Sequence, residues 1–281
     1  MKDLRAIMVA VNYADLLAVT LPANRHHFSE VMVVTDKPSS EKVIPLAQAN
    51  GASVCITNRF YENGAAFNKW AALEYALDLF GREGWLCVMD ADVIWPYVAP
   101  LDPKIGELWS PLRRMAPWPI SSPSIDPSRA EALWSLYSIH RNVGEWAGYS
   151  QVFHADDPAL GPAPWHEVDW AHAGGADSLF QRKWPAELKR RPLWECLHLG
   201  NPGANWYGRA TPLADGTVLE GSQERMDAVT AIWERRRAIR QAGGTEGEAF
   251  RPERISPSEA STDPSAGPDS LATGRSRDER G

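Results

Sequence analysis

The sequence predicts an α/β chain: a Rossmann-like, mostly parallel sheet with flanking helices, and a smaller subdomain after it. Three observations predict it. Short apolar runs of strand length recur through the first 95 residues, segments of helical character stand between them, and the last such run ends abruptly in the aspartate pair of "WLCVMDADVIWP" (85–96). Strands separated by helical crossovers pair in parallel, and such sheets bind ligands beyond the carboxyl ends of their strands.

"LRAIMVAV" (4–11) is the first strand and "EVMVVT" (30–35) the second. "SSEKVIPLAQANG" (39–51) fits a helix with a serine cap and a closing glycine. "ASVCIT" (52–57) is the third strand. "AAFNKWAALEYALDLFG" (65–81) is the clearest helix, with Trp70, Leu73, Leu77 and Phe80 on one face and Gly81 at its end. Trp85–Met89 is the fourth strand, leaving Asp90 and Asp92 at its carboxyl end, where Asn12, Tyr13 and Asp36 also fall on their own strands.

Past residue 95 the pattern changes. Residues 96–127 are rich in proline, 128–140 read as a helix, 148–153 as a strand, and 164–184 as a loop entering a short helix near Gly175. "PLWECLHLG" (192–200) reads as a last strand. The division expected is a first half over 1–95, a second over 96–210 packed above the aspartates, an amphipathic helix within 211–242, and a disordered tail over 243–281. That helix, 222–240, carries Met226, Val229 and Trp233 on one stripe and five arginines around it.

The 281 residues are 44% hydrophobic, enough for a sizeable core, and the formal charge of −7 argues against wholesale wrapping of nucleic acid. Cys55, Cys87 and Cys196 lack paired spacing and read as buried reduced thiols of a cytoplasmic protein. No apolar run reaches the roughly 18 residues that span a bilayer, and no signal peptide is visible. Thirteen tryptophans supply core, and flat indole faces also suit stacking on sugars or bases.

Alternation places Asp90 and Asp92 on one side of the chain, where two carboxylates repel and a hard divalent cation, Mg2+ or Mn2+, relieves the repulsion. In the order "VMDAD", "GYSQVF", "GGADSLF", "HLG", the chain resembles the GT-A class of nucleotide-sugar glycosyltransferases over roughly 4–210. The resemblance implies a D-x-D metal site at Asp90 and Asp92 completed by His198. It implies a donor-sugar strand at Gly148, and at Asp177 an acid that orients or deprotonates an acceptor hydroxyl. Where the family often has two adjacent acids, this chain has "GAD", so Asp177 stands alone. On the donor side Asn12, Tyr13, Asp36, Lys69, Asp90 and Ala91 are the candidates: Tyr13 to stack on a base, Asp36 to accept from a uracil imide, Lys69 to hold phosphates. Gly175, Asn205, Trp206 and Arg209 are candidates for the acceptor side, the last three on the loop "NPGANWYGR" (201–209).

Three rivals share parts of this pattern. A haloacid-dehalogenase-like phosphatase also uses D-x-D, but on its first strand. A nucleotidylyltransferase has the same half-fold, yet carries a glycine- and arginine-rich loop after strand one that "VNYADLL" lacks. A non-catalytic carbohydrate- or nucleic-acid-binding module leaves the aspartates and His198 unexplained. The expected partners are a UDP-sugar and an acceptor that is either a soluble glycan or protein, or DNA. The DNA option follows from a resemblance to phage enzymes that glycosylate hydroxymethylated pyrimidines, with Arg113, Arg114, residues 189–191 and Arg235–Arg237 on phosphates.

Overall fold

A computed structural model describes residues 3–116, 118, 139–140, 148–170, 172–200, 205, 208–219, 227, 231, 238 and 270–272. In its first part β1 (Leu4–Val9), α1 (Ala14–Asn24), β2 (Glu30–Thr35), α2 (Lys37–Ala49), β3 (Ser53–Ile56), α3 (Lys69–Phe80) and β4 (Trp85–Asp90) follow in turn. β1 pairs in parallel with both β2 and β4, and β2 with β3. The chain therefore moves outward from β1 to β3 and returns to the other side of β1 for β4. That reversal opens a crevice between the carboxyl ends of β1 and β4, where Val9 is the register partner of Asp90.

Both sheet faces are covered, so strand residues are apolar without alternation. Ile7, Val9 and Val34 pack with Trp70, Leu73, Leu77 and Phe80 of α3 on one face. Ala6, Met8 and Val33 pack with Leu17 and Leu21 of α1 and Val43 and Ala47 of α2 on the other. Cys55, Cys87 and Cys196 are buried and none is in a disulfide, as expected.

The remaining strands are β5 (Val93–Ile94), β6 (Leu108–Trp109), β7 (Leu112–Ala116), β8 (Ile139–His140), β9 (Ser150–His154), β10 (Lys189–Arg190), β11 (Glu195–Leu199) and β12 (Ser270–Ala272). The main sheet runs β10-β6-β9-β4-β1-β2-β3-β12, and a second sheet runs β5-β11-β7-β8. β9 lies antiparallel to β4, and β12 lies antiparallel to β3 at the far edge. β12 falls in the segment whose composition predicts disorder.

Three local expectations change. α1 has no counterpart in the periodicity, because its apolar residues do not form one stripe and Pro22 sits inside it. α2 starts earlier than its serines suggest: Asp36 is the cap, its carboxylate accepting from Ser39 N at 2.9 Å. Of the helix expected over 128–140, residues 139–140 form β8, paired with β7, and the other residues lie outside the described ones. Most of the amphipathic segment at 222–240 also lies outside them.

Candidate active site

Four hydrogen bonds fix the backbone that carries the aspartates. Thr20 Oγ1 donates to Ala91 O at 2.6 Å, Asn24 Nδ2 donates to Val93 O at 2.7 Å, and Trp95 N donates to Asn24 Oδ1 at 2.8 Å. Leu199 N donates to Asp92 O at 2.8 Å, and His198 is the register partner of Val93. The first three tie the segment to α1. The last ties it to β11, so the second sheet delivers His198 to the carboxyl end of β4.

One ligand atom from each of Asp90, Asp92 and His198 lies within 4.8 Å of the others. His198 Nε2 is 3.2 Å from Asp92 Oδ1, yet that oxygen is buried with no aligned hydrogen-bond donor. A buried carboxylate oxygen without a donor is costly, and a divalent cation among two carboxylates and an imidazole would satisfy it. The residues fit such an ion. The two carboxylates suit either Mg2+ or Mn2+. Burial pushes the Asp90 carboxyl up despite Lys69 Nζ at 2.6 Å. Burial would also raise Asp92, but His198, the local backbone and Lys69 together outweigh it and hold that carboxyl below its usual range.

Asp177 lies in the first turn of α4 (Ala176–Gln181), entered through Gly175 at φ 92°, a left-handed turn that favours glycine. Its Oδ2 accepts from Gly148 N at 2.7 Å. A Cβ on Gly148 would stand 2.4 Å from Asp177 Cβ and 3.0 Å from Trp70 Cη2, so only glycine permits this approach. The next residue, Tyr149, accepts at its carbonyl from Asp90 N at 2.9 Å. Asp177 and the aspartate pair are thus joined through two consecutive residues.

The start of α3 organises both ends of this link. Asn68 Nδ2 donates to Val168 O, Trp70 Nε1 to Ala173 O, and Trp170 Nε1 to Gly174 O, which shapes the loop leading into Gly175. Lys69, between Asn68 and Trp70, reaches Asp90.

The donor-side candidates separate. Asn12 sits at φ 58°, with its amide on Ser39 Oγ at 2.9 Å. Tyr13 faces the aspartates, and burial and Asp92 push its phenol well above the usual value. Asp36 is not a free base acceptor: besides capping α2 it accepts from Tyr61 Oη at 2.7 Å, and it is buried. Ala91 is buried with its carbonyl on Thr20, so it positions the turn without presenting a side chain.

Arg209, expected on the acceptor side, is 1% exposed. Its guanidinium binds the Asp15 carboxylate with both terminal nitrogens, and it donates to Asn12 O at 2.8 Å and Thr211 O at 2.7 Å. Asp15 also accepts from Trp118 Nε1 and Ala214 N. The pair joins residues 209–214 to the start of α1, so the Arg209 guanidinium is bound within the fold where an acceptor contact is expected. Asn205 shapes the same loop, accepting from Ala210 N and Thr211 N. Trp206 lies outside the described residues.

Several residues at the site give no signal in the sequence. Asp15, Thr20 and Asn24 belong to α1, which the periodicity does not reveal. Arg113 is buried with Nη1 3.3 Å from His198 Nδ1, although one of two adjacent arginines reads as a solvated pair.

No protein-family model and no curated protein matches the chain. Among solved structures it is similar to glucosyl-3-phosphoglycerate synthase from Mycobacterium tuberculosis in complex with Mn2+, UDP and glucosyl-3-phosphoglycerate. That likeness has a TM-score of 0.42 and 13% identity, over 87% of this chain and 81% of that one. S. aureus TarS matches at 0.40 and 10%, over 72% of this chain and 37% of that one. The inositol-1-phosphate CTP transferase from T. maritima matches at 0.42 and 7%, over 82% and 97%. Likenesses this distant say nothing of chemistry, which has to come from the site.

Proposed function

We propose that the protein is a metal-dependent glycosyltransferase that moves a sugar from a nucleoside-diphosphate sugar, with UDP as the nucleotide, to an acceptor hydroxyl. The observation that carries this reading is the convergence of Asp90, Asp92 and His198 at the sheet's switch point, linked through Gly148 and Tyr149 to the carboxylate of Asp177. The order of these residues along the chain matches the GT-A resemblance.

Asp90, Asp92 and His198 would hold the ion, which when bound neutralises charge growing on the departing diphosphate. Lys69 supplies a further positive charge beside Asp90. Asp177, its Oδ2 fixed by Gly148 N, keeps Oδ1 to orient an acceptor hydroxyl or take its proton. Tyr13, with the Arg209 guanidinium over its ring, stands next to Asn12 past the end of β1.

A phosphatase of the haloacid-dehalogenase kind needs its first aspartate free as a nucleophile on the first strand. Here Asp90 ends the fourth strand in chain order and is bonded to Lys69. For the acceptor, a saccharide or protein hydroxyl is favoured over hydroxymethylated DNA. Arg113 is buried, Arg114 pairs with Glu195 at 2.5 Å and Arg190 with Glu107 at 2.9 Å, so these arginines are already committed within the fold. Arg235–Arg237 lie outside the described residues.

The test is a panel of nucleotide-sugars with Mn2+, read as free nucleoside diphosphate and as mass gain on glycan, protein and hydroxymethylated DNA acceptors. Release of UDP that stops with chelator supports the reading. Pyrophosphate release from a nucleoside triphosphate and a sugar phosphate would replace it with nucleotidyl transfer.

A further inference from the structure

The two carboxylates of the candidate metal site do not stand alone. Lys69 Nζ is 2.6 Å from Asp90 Oδ1 on a side chain only 9% exposed. On the other flank Arg113 places Nη1 3.3 Å from His198 Nδ1 and its guanidinium 4.8 Å from the Tyr149 ring centre. Arg113 is 8% exposed and its Nε is buried without a hydrogen-bond partner. Two cations thus stand against two carboxylates in one cluster, buried except at Asp90, whose side chain is 30% exposed.

Charge count is a main determinant of how tightly an oxygen-lined site holds a divalent cation. A site whose carboxylates are already balanced offers little net attraction, and an arriving dication is repelled by both cations through a medium poorer in water than the surface. A histidine that binds a metal through Nε2 also normally donates from Nδ1 to an acceptor. Here Nδ1 faces Arg113, which only donates, and the sulfur of Met115 at 3.2 Å, a weak acceptor. Both features weaken the binding of a lone ion. A diphosphate reverses them, because its negative charge compensates the dication, Lys69 and Arg113 together.

We propose that Lys69 and Arg113 make the divalent cation and the nucleoside diphosphate bind as one unit, by cancelling the carboxylate charge that would otherwise hold the cation alone. The inference rests on the transferase reading of the site and adds a direction to it: removing either cation strengthens the binding of metal by itself. Coupling between two ligands is reciprocal, so the metal raises nucleotide affinity by the same factor.

The experiment measures Mn2+ binding to the full chain by electron paramagnetic resonance of the free ion, without and with saturating UDP. For the unaltered protein, UDP should tighten Mn2+ by at least about tenfold, within the usual range of such couplings. Lys69→Met should tighten Mn2+ alone by about tenfold, and UDP should then add no more than a few-fold. Arg113→Met should act in the same direction. Because Arg113 is buried and its replacement could cost the fold, Lys69→Met and Lys69→Gln are the deciding variants, each with a thermal melt confirming a folded chain. Unchanged or weaker Mn2+ binding by folded Lys69 variants, with the UDP effect intact, overturns the inference and leaves the metal site standing. Absence of Mn2+ binding in every protein, with or without UDP, overturns the site itself.

Discussion

The contact between Gly148 and Asp177 is the narrowest tolerance in the site, and it makes a sharp prediction. Gly148→Ala forces a Cβ to within 2.4 Å of Asp177 Cβ, an atom close to the backbone that cannot swing aside. Displacement by about 1 Å in a reacting geometry costs on the order of a hundredfold in rate, and turnover should fall by that much while UDP affinity changes little. The stability cost, about 1–3 kcal/mol for overpacking, should shrink in an Asp177→Gly background, where the clashing atom is gone; a double-mutant cycle of urea midpoints checks this. Asp177→Asn keeps the bond from Gly148 N but loses the base, so transfer should drop with donor binding retained; collapse of UDP affinity would move this residue to the donor site. Asp92→Ala removes the buried oxygen that lacks a donor, and Mn2+ binding in the presence of UDP should be lost.

α1 is the element on which the aspartates hang, and it is the one the sequence conceals. Asn24 bonds both Val93 O and Trp95 N through its side chain. Asn24→Leu strands both groups, at about 1–3 kcal/mol each, so the melting temperature should fall and Mn2+ affinity should fall with it. The grouping of Asp90, Asp92 and His198 is legible in the sequence because each stands at or just past the end of a strand, and the position of Asp177 because it follows a glycine turn. α1 is not, because a helix buried on several sides loses its period, and Tyr13 offers no capping side chain. Asp36 is ambiguous for a related reason: a carboxylate after a strand is equally suited to a ligand or to a helix cap, and only Ser39 and Tyr61 in place decide between them. Just past α1, His27 has a buried Nε2 without a partner, and burial lowers its pKa from the ordinary 6.5 to about 4. The unfolded chain therefore takes up a proton at this residue before the folded one does. Stability from the neutral ring is complete above pH 6.5 and declines as pH falls toward 4. His27→Gln should flatten the melting temperature over that window, and an unchanged slope would show that other groups govern it.

Across the whole molecule the main sheet is finished at one edge by β12, whose three residues pair with β3. Ending the chain after residue 242 should leave the urea midpoint nearly unchanged, since three edge pairs contribute little, but bare β3 is a template for other chains. Light scattering should then reveal concentration-dependent association that the full chain lacks. The second sheet carries a different consequence. His198 meets Asp92 only because β11 pairs with β5, two segments separated by residues 95–194. Such distant pairings close after local ones, since the loop between them must be ordered first. On the ribosome the aspartates emerge long before their histidine, and the nascent domain is blind to the ion until β11 docks. Ion capture is then a timestamp of completion: in refolding, tryptophan fluorescence should recover first, and Mn2+ should vanish from solution, with UDP present, only in the slowest phase.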